Sequence, residues 1–349
     1  MKIYGKLKIF VVGLILIFFG FSLTKAQVVP TPTPTPTETE DNEILKIDTD
    51  LVNFLFTAQD KDRRLLTSLR KEDIRILEDG QQQEIFTFQR QIDLPLSLAI
   101  LIDVSASQER TLPEEKQAAK SFLQDVVRPE KDEVSIISFT GETTLEQGMT
   151  SNVSRLGRAI DRVQFVPPAG YIGGGVVVPG TPPVSGSSSA AGSTAIWDAI
   201  WVTSEEVLGE APEKTRRAII LLSDGVNTYG KKKIDDAVQA ALKSEAVVYS
   251  IGVGDNFYDG VDESALRKIS ERTGGRAFFP RDEYELRAAF NQIQNEMRSQ
   301  YLIAYEPGNP SKDGTYRKVE VQITNPELTK QKVKLTHRQG YFAKSEPKK

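Results

Sequence analysis

Between residues 94 and 298 short apolar runs alternate with amphipathic stretches, a pattern that few folds absorb. The runs "LSLAILID", "DEVSIISFT", "RRAIILLSD" and "AVVYSIGVG" are short for helices and read as strands. Helical spacing fills the intervals, at residues 113–127, 153–163, 195–208, 232–243, 263–271 and 283–298. A strand that is apolar on both faces needs cover on both. Alternation with helices supplies it, so a mainly parallel sheet between two helical layers is predicted. The run "DEVSIISFTGETTLEQGMT" differs. It reads as two successive strands turning at Gly141, which predicts one antiparallel edge strand.

The flanks follow a period of two. "ILKIDTDLVNFLFTAQD" alternates apolar and polar residues, and "DIRILEDGQQQEIFTFQR" reads strand, Asp-Gly turn, strand. After residue 299 come "QYLIAYEP", "YRKVEVQIT" and "QKVKLTHRQGYF", again strand-like. Neither flank makes a comfortable domain alone. Segments 44–93 and 299–345 are therefore expected to pack together as a small β-sandwich-like domain. The fold class follows: α/β, a Rossmann-like doubly wound sheet over 94–298, inserted between two β segments.

The first residues read as an address. Lys2, Lys6 and Lys8 precede an apolar run from Ile9 to Leu23, shorter than the roughly 20 residues a spanning helix needs. Residues 1–26 are read as a signal peptide, with an uncleaved membrane anchor as the alternative. Residues 27–43 form a Pro/Thr-rich spacer. Either way the protein is expected to be exported, periplasmic or secreted. Any membrane contact would run through the N-terminal segment. There is no cysteine, so disulfides and thiol chemistry are excluded. A formal net charge of −4 speaks against a nucleic-acid partner.

Oxygen-bearing side chains gather where strands end. Asp103, Ser105 and Ser107 follow "LAILI" at alternate positions, Thr194 opens a helix in "GSTAIWDAI", and Asp224 follows "IILLS". In an open α/β sheet, ligands bind at the carboxyl ends of the strands. Two carboxylates with hydroxyls and water suit Mg²⁺, or Mn²⁺ or Ca²⁺, and offer nothing soft. Each element alone also reads as a helix cap or a turn; their conjunction argues for a metal.

That conjunction resembles the von Willebrand factor type A domain and its metal-ion-dependent adhesion site. The resemblance covers residues 94–298. It implies Ser105, Ser107 and Thr194 as direct ligands, with Asp103 and Asp224 bound directly or through water. Gln108 departs from the Met that many bacterial members carry. The implied function is metal-dependent protein binding, in adhesion or complex assembly, with an Asp or Glu of a protein partner completing the shell. The alternative is an envelope scaffold with a purely structural metal. The flanks resemble those of exported bacterial proteins with this domain. No nucleophile elbow, phosphate loop or cysteine is present, so no catalytic activity is expected.

Four features stay outside that scheme. The Gly/Pro/Ser-rich segment 165–193 ends at Thr194 and is expected either to border the binding face or to be an insertion of no consequence. Trp197 and Trp201, one helical turn apart, are expected in the core. His337 has no second ligand beside it. "KKK" at Lys231–Lys233 begins a helix, where the dipole disfavours positive charge, and no role follows from the sequence.

Overall fold

The computed structural model describes residues 51–91, 94–169, 171, 192–212, 215–254 and 260–345. The leader and spacer readings, and residues 170 and 172–191 of the Gly/Pro/Ser-rich segment, lie outside them.

The chain opens with β1 (Val52–Gln59), β2 (Ile74–Glu78), β3 (Gln81–Gln83) and β4 (Ile85–Gln91). Next come β5 (Leu96–Asp103), α1 (Leu112–Val126), β6 (Glu133–Phe139), β7 (Thr143–Thr150) and α2 (Val153–Arg162). They are followed by α3 (Ile196–Val202), β8 (Arg216–Ser223), α4 (Ile234–Lys243), β9 (Ala246–Gly252) and α5 (Glu263–Thr273). Then β10 (Ala277–Phe278) and α6 (Glu283–Arg298) lead into β11 (Gln300–Tyr305). β12 (Tyr316–Ile323), α7 (Pro326–Lys330), β13 (Lys334–His337) and β14 (Gly340–Phe342) finish the described chain.

The central sheet runs β10-β9-β8-β5-β6-β7. Its pairs are parallel except β6 with β7, so the expected antiparallel edge strand is present. Every residue of β5 is buried. Leu98, Ile100 and Ile102 share a core with Phe122 and Leu123 of α1 and Phe290 and Ile293 of α6. Ala99 and Leu101 share the opposite core with Ile196 and Ile200 of α3 and Val238 and Ala241 of α4. Burying a Leu, Ile or Phe side chain stabilises by about 1.5–3 kcal/mol, so β5 is held hard from both sides. Its carboxyl end is correspondingly well fixed, and Asp103 is the last residue of the strand.

The flanks form two antiparallel sheets, β13-β1-β11-β4 and β14-β12-β2-β3. β1 and β11 lie side by side, with Phe56 opposite Tyr301 and their rings stacked at 5.1 Å. The α/β part is thus inserted between neighbouring strands of one sheet. Asp79 and Gly80 have φ of 48° and 83°, the two positive values that a tight hairpin turn demands. The strand after that turn is not continuous. It breaks at Glu84, so that Gln83 pairs with Ile76 in one sheet and Ile85 with Tyr305 in the other. The terminal run "QKVKLTHRQGYF" divides the same way, into β13 and β14.

Candidate metal site

The site is built on two neighbouring parallel strands, β5 and β8. Asp103 ends the first and Ser223 the second, with Asp224 one residue beyond. Asp103 Oδ2 accepts a hydrogen bond from Ser223 Oγ at 2.7 Å, and Oδ1 accepts from the Ser105 N–H at 3.0 Å. Both bonds are buried, so the carboxylate is aimed by strand register and by its own turn. Ser105 Oγ and Ser107 Oγ lie 3.3 Å apart across a short 3-10 turn, residues Ala106–Gln108. Ser105 is buried and Ser107 partly exposed, which marks the solvent side.

Asp224 is set by a turn. Its Oδ1 accepts from the Val226 N–H at 2.9 Å, and Gly225 takes φ +83°. A Cβ at that glycine would collide with Asp262 O and Leu266 Cγ at 2.8 Å, so the position needs glycine on two counts. Thr194 is buried and clamped by backbone. Its N–H donates to Thr228 Oγ1 at 2.9 Å, and its carbonyl accepts from the N–H groups of Thr228 and Tyr229 at 2.9 and 3.0 Å. The next N–H, of Ala195, donates to Thr140 O after β6 at 2.8 Å. Asp103, Ser105, Ser107 and Asp224 therefore meet at the carboxyl ends of β5 and β8. Thr194 is tied to them through the loop that follows Asp224.

Electrostatics give the site its character. Burial pushes the Asp103 carboxyl up to about 7, and the charge of Asp224 adds to the rise. Burial likewise raises Asp224, against the opposing effect of the Ser107 hydroxyl, the Val226 N–H and the Gln108 amide. Glu115, in the first turn of α1, is fully buried, and both its carboxylate oxygens lack a hydrogen-bond partner. Burial pushes it up to about 8, with Asp103 and Asp224 contributing. Among the described residues no cationic side chain bonds to any of the three. Nor does any group of three or more His, Cys, Asp or Glu gather as a metal cluster. The donor set is two carboxylates with hydroxyls, all hard oxygen. Excess negative charge at a rim lined by such donors fits a divalent cation.

The sequence singles out neither Ser223 nor Glu115, and it marks Gln108 only as a departure from the family's Met. Ser223 carried a faint signal, as the hydroxyl just before Asp224. Gln108 is fully buried and does structural work: Nε2 donates to Ser107 Oγ and Val253 O, both at 3.3 Å, and Oε1 accepts from Thr111 Oγ1 at 2.9 Å. Glu115 gave no signal, because an acid in a helix's first turn is ordinary. Trp197 is buried as expected. Trp201 is only half-buried, under the Lys232 ammonium at 3.7 Å. Tyr171, within the Gly/Pro/Ser-rich segment, donates its hydroxyl to Glu109, two residues from Ser107.

Two family models described as von Willebrand factor type A domain match the chain, at residues 98–227 and 184–294. The chain belongs to the von Willebrand factor type A domain proteins. Among solved structures, an aerotolerance-related membrane protein from Bacteroides fragilis is 19% identical, with 57% of this chain and 98% of that one covered and a TM-score of 0.43. The conserved hypothetical protein BatB from Bacteroides thetaiotaomicron is 19% identical, with 58% and 100% covered and a TM-score of 0.42. Proximal thread matrix protein 1 from the mussel byssus, in a form with a zinc-occupied MIDAS motif, is 15% identical, with a TM-score of 0.43. That match spans 59% of this chain and 48% of the mussel chain. No curated protein matches.

Proposed function

We propose that this chain is an exported, non-enzymatic module that binds a protein partner through a divalent cation. Ser105, Ser107 and Thr194 hold the cation, Asp103 and Asp224 balance its charge directly or through water, and a partner Asp or Glu takes the remaining position. The cation supplies a localised positive charge on which that carboxylate closes. Mg²⁺ is the first expectation, on the hardness of the donors.

One observation carries the reading: two buried acidic side chains, Asp103 and Asp224, meet beside hydroxyl oxygens at the strand ends with no cationic partner among the described residues. Such an arrangement is costly unless a cation enters it. Around it the chain's own residues orient the donors. Ser223 and the Ser105 N–H fix Asp103, Gly225 turns Asp224, and Thr140 and Thr228 hold the Thr194 loop. The leader-like residues 1–26 support export to the periplasm or beyond.

Affinity capture from an envelope extract tests this. A partner retained in Mg²⁺ and released by chelator, and absent with Asp224→Ala, is expected. A partner equally retained under chelation would defeat the reading.

A further inference from the structure

The run Lys231–Lys233 has no role in the scheme above, and its setting is unusual. It lies on the loop whose backbone clamps Thr194, since the Tyr229 N–H donates to Thr194 O at 3.0 Å. Asp198, in α3, reaches across and fixes the loop. Its carboxylate accepts from the Lys231 N–H at 3.1 and 3.0 Å and from the Lys232 N–H at 3.0 Å. Gly230, with φ +108°, lets the chain pass tight against that carboxylate. The Lys233 N–H is held in turn by Asp236 Oδ2 at 2.8 Å. α4 starts at Ile234, two residues later than its sequence pattern suggests, because Lys233 takes the extended N-cap conformation, φ −98° and ψ 164°.

The backbone is thus rigidly held while two ammonium groups stand free. Lys231 and Lys233 are exposed, and neither ammonium has a hydrogen bond or ion pair among the described residues. Lys232 is spent on the Trp201 ring. Among the described residues Asp235 pairs with Arg272 and Lys268, and Asp236 caps α4. Cations at a helix N-terminus oppose the dipole. Beside them Tyr229 is 46% exposed, one of the few large apolar side chains so placed. The fold therefore presents an aromatic ring and two positive charges, without a partner among the described residues, on the flank of a site that takes a carboxylate.

We propose that Tyr229, Lys231 and Lys233 form a second docking point, selecting a partner segment that carries several carboxylates. One carboxylate closes on the cation, and a neighbouring one meets Lys231 and Lys233 across the Tyr229 ring. This rests on the metal-dependent reading above. Charge complementarity favours an acidic polypeptide over a phosphate polymer, because the basic patch is small and the chain carries net negative charge.

Fluorescence anisotropy with two labelled, amidated peptides tests it, one with a single glutamate among glycines and one with three consecutive glutamates. In Mg²⁺ the triglutamate peptide should bind the purified chain more tightly. Lys231→Glu with Lys233→Glu should cut its affinity about 3- to 10-fold. Single-glutamate binding, and the Mg²⁺ affinity by calorimetry, should stay unchanged. Lys231→Arg with Lys233→Arg should keep the preference. The proposal is overturned if the charge-reversed protein still prefers triglutamate, if the unsubstituted protein shows no preference, or if single-stranded DNA outcompetes the acidic peptide for the patch. A chain that binds no Mg²⁺ would instead defeat the metal reading. A chelator-resistant preference lost on charge reversal would then leave the patch standing alone.

Discussion

Replacing Glu115 by glutamine should stabilise the metal-free protein, and increasingly so as pH rises. Glu115 is fully exposed to water in the unfolded chain but fully buried and unpartnered in the fold. Its carboxyl is raised from 4.5 to about 8 by burial, against the lowering effect of the nearby Thr111 hydroxyl, with the charges of Asp103 and Asp224 adding to the rise. A raised acid takes up a proton on folding between those two values, so folding loses stability as pH climbs through that window. Below about pH 4.5 the penalty is absent. At pH 7 it spans about 2.5 pH units, or roughly 3 kcal/mol, and above about pH 8 it levels off near 5 kcal/mol. Glutamine keeps the shape and leaves an unpaired buried amide, which costs about as much as an unpaired carboxylic acid. The gain should therefore be near zero at pH 4.5 and roughly 3 kcal/mol at pH 7. Urea unfolding in excess EDTA at a series of pH values measures it. A Glu115→Gln offset that does not change between pH 4.5 and 8, or a loss of stability at pH 8, would refute the reasoning.

Other consequences are equally open to measurement. Ser223→Ala removes the buried donor to Asp103 Oδ2 and should weaken Mg²⁺ about 10-fold, read by calorimetry; unchanged affinity would mean Ser223 does not orient the carboxylate. Because the Asp103 carboxyl is raised to about 7, Mg²⁺ affinity should climb as pH rises from about 6 to 8, since cation binding favours the ionised form. A flat titration over that range would contradict it. Gly225→Ala forces a Cβ into Asp262 and Leu266 at positive φ and should cost about 1–3 kcal/mol in denaturant unfolding.

The central strands were readable because burial on both faces leaves a continuous apolar run. β5, β6, β8 and β9 are such runs, with the helices between them placed to within a few residues. Asp103 and Asp224 were legible as candidates because strand ends are where parallel sheets place their ligands. What escaped depends on contacts distant in sequence. Glu115 looks like any acid of a helix's first turn until α1 is rotated against β5. Ser223 becomes a partner of Asp103 only when β5 and β8 lie side by side, 120 residues apart in the chain. The loop before α4 is fixed by Asp198, 33 residues upstream of Lys231. The break at Glu84 depends on two sheets closing over one core, which an alternating pattern does not reveal.

The most direct test is the position of a bound ion. A crystal of the protein soaked in Mn²⁺ should show an anomalous peak within bonding distance of Ser105, Ser107 and Thr194 oxygens, with Asp103 and Asp224 bound directly or through water. No peak at the carboxyl ends of β5 and β8, or a peak held by other residues with these five left empty, would contradict the account.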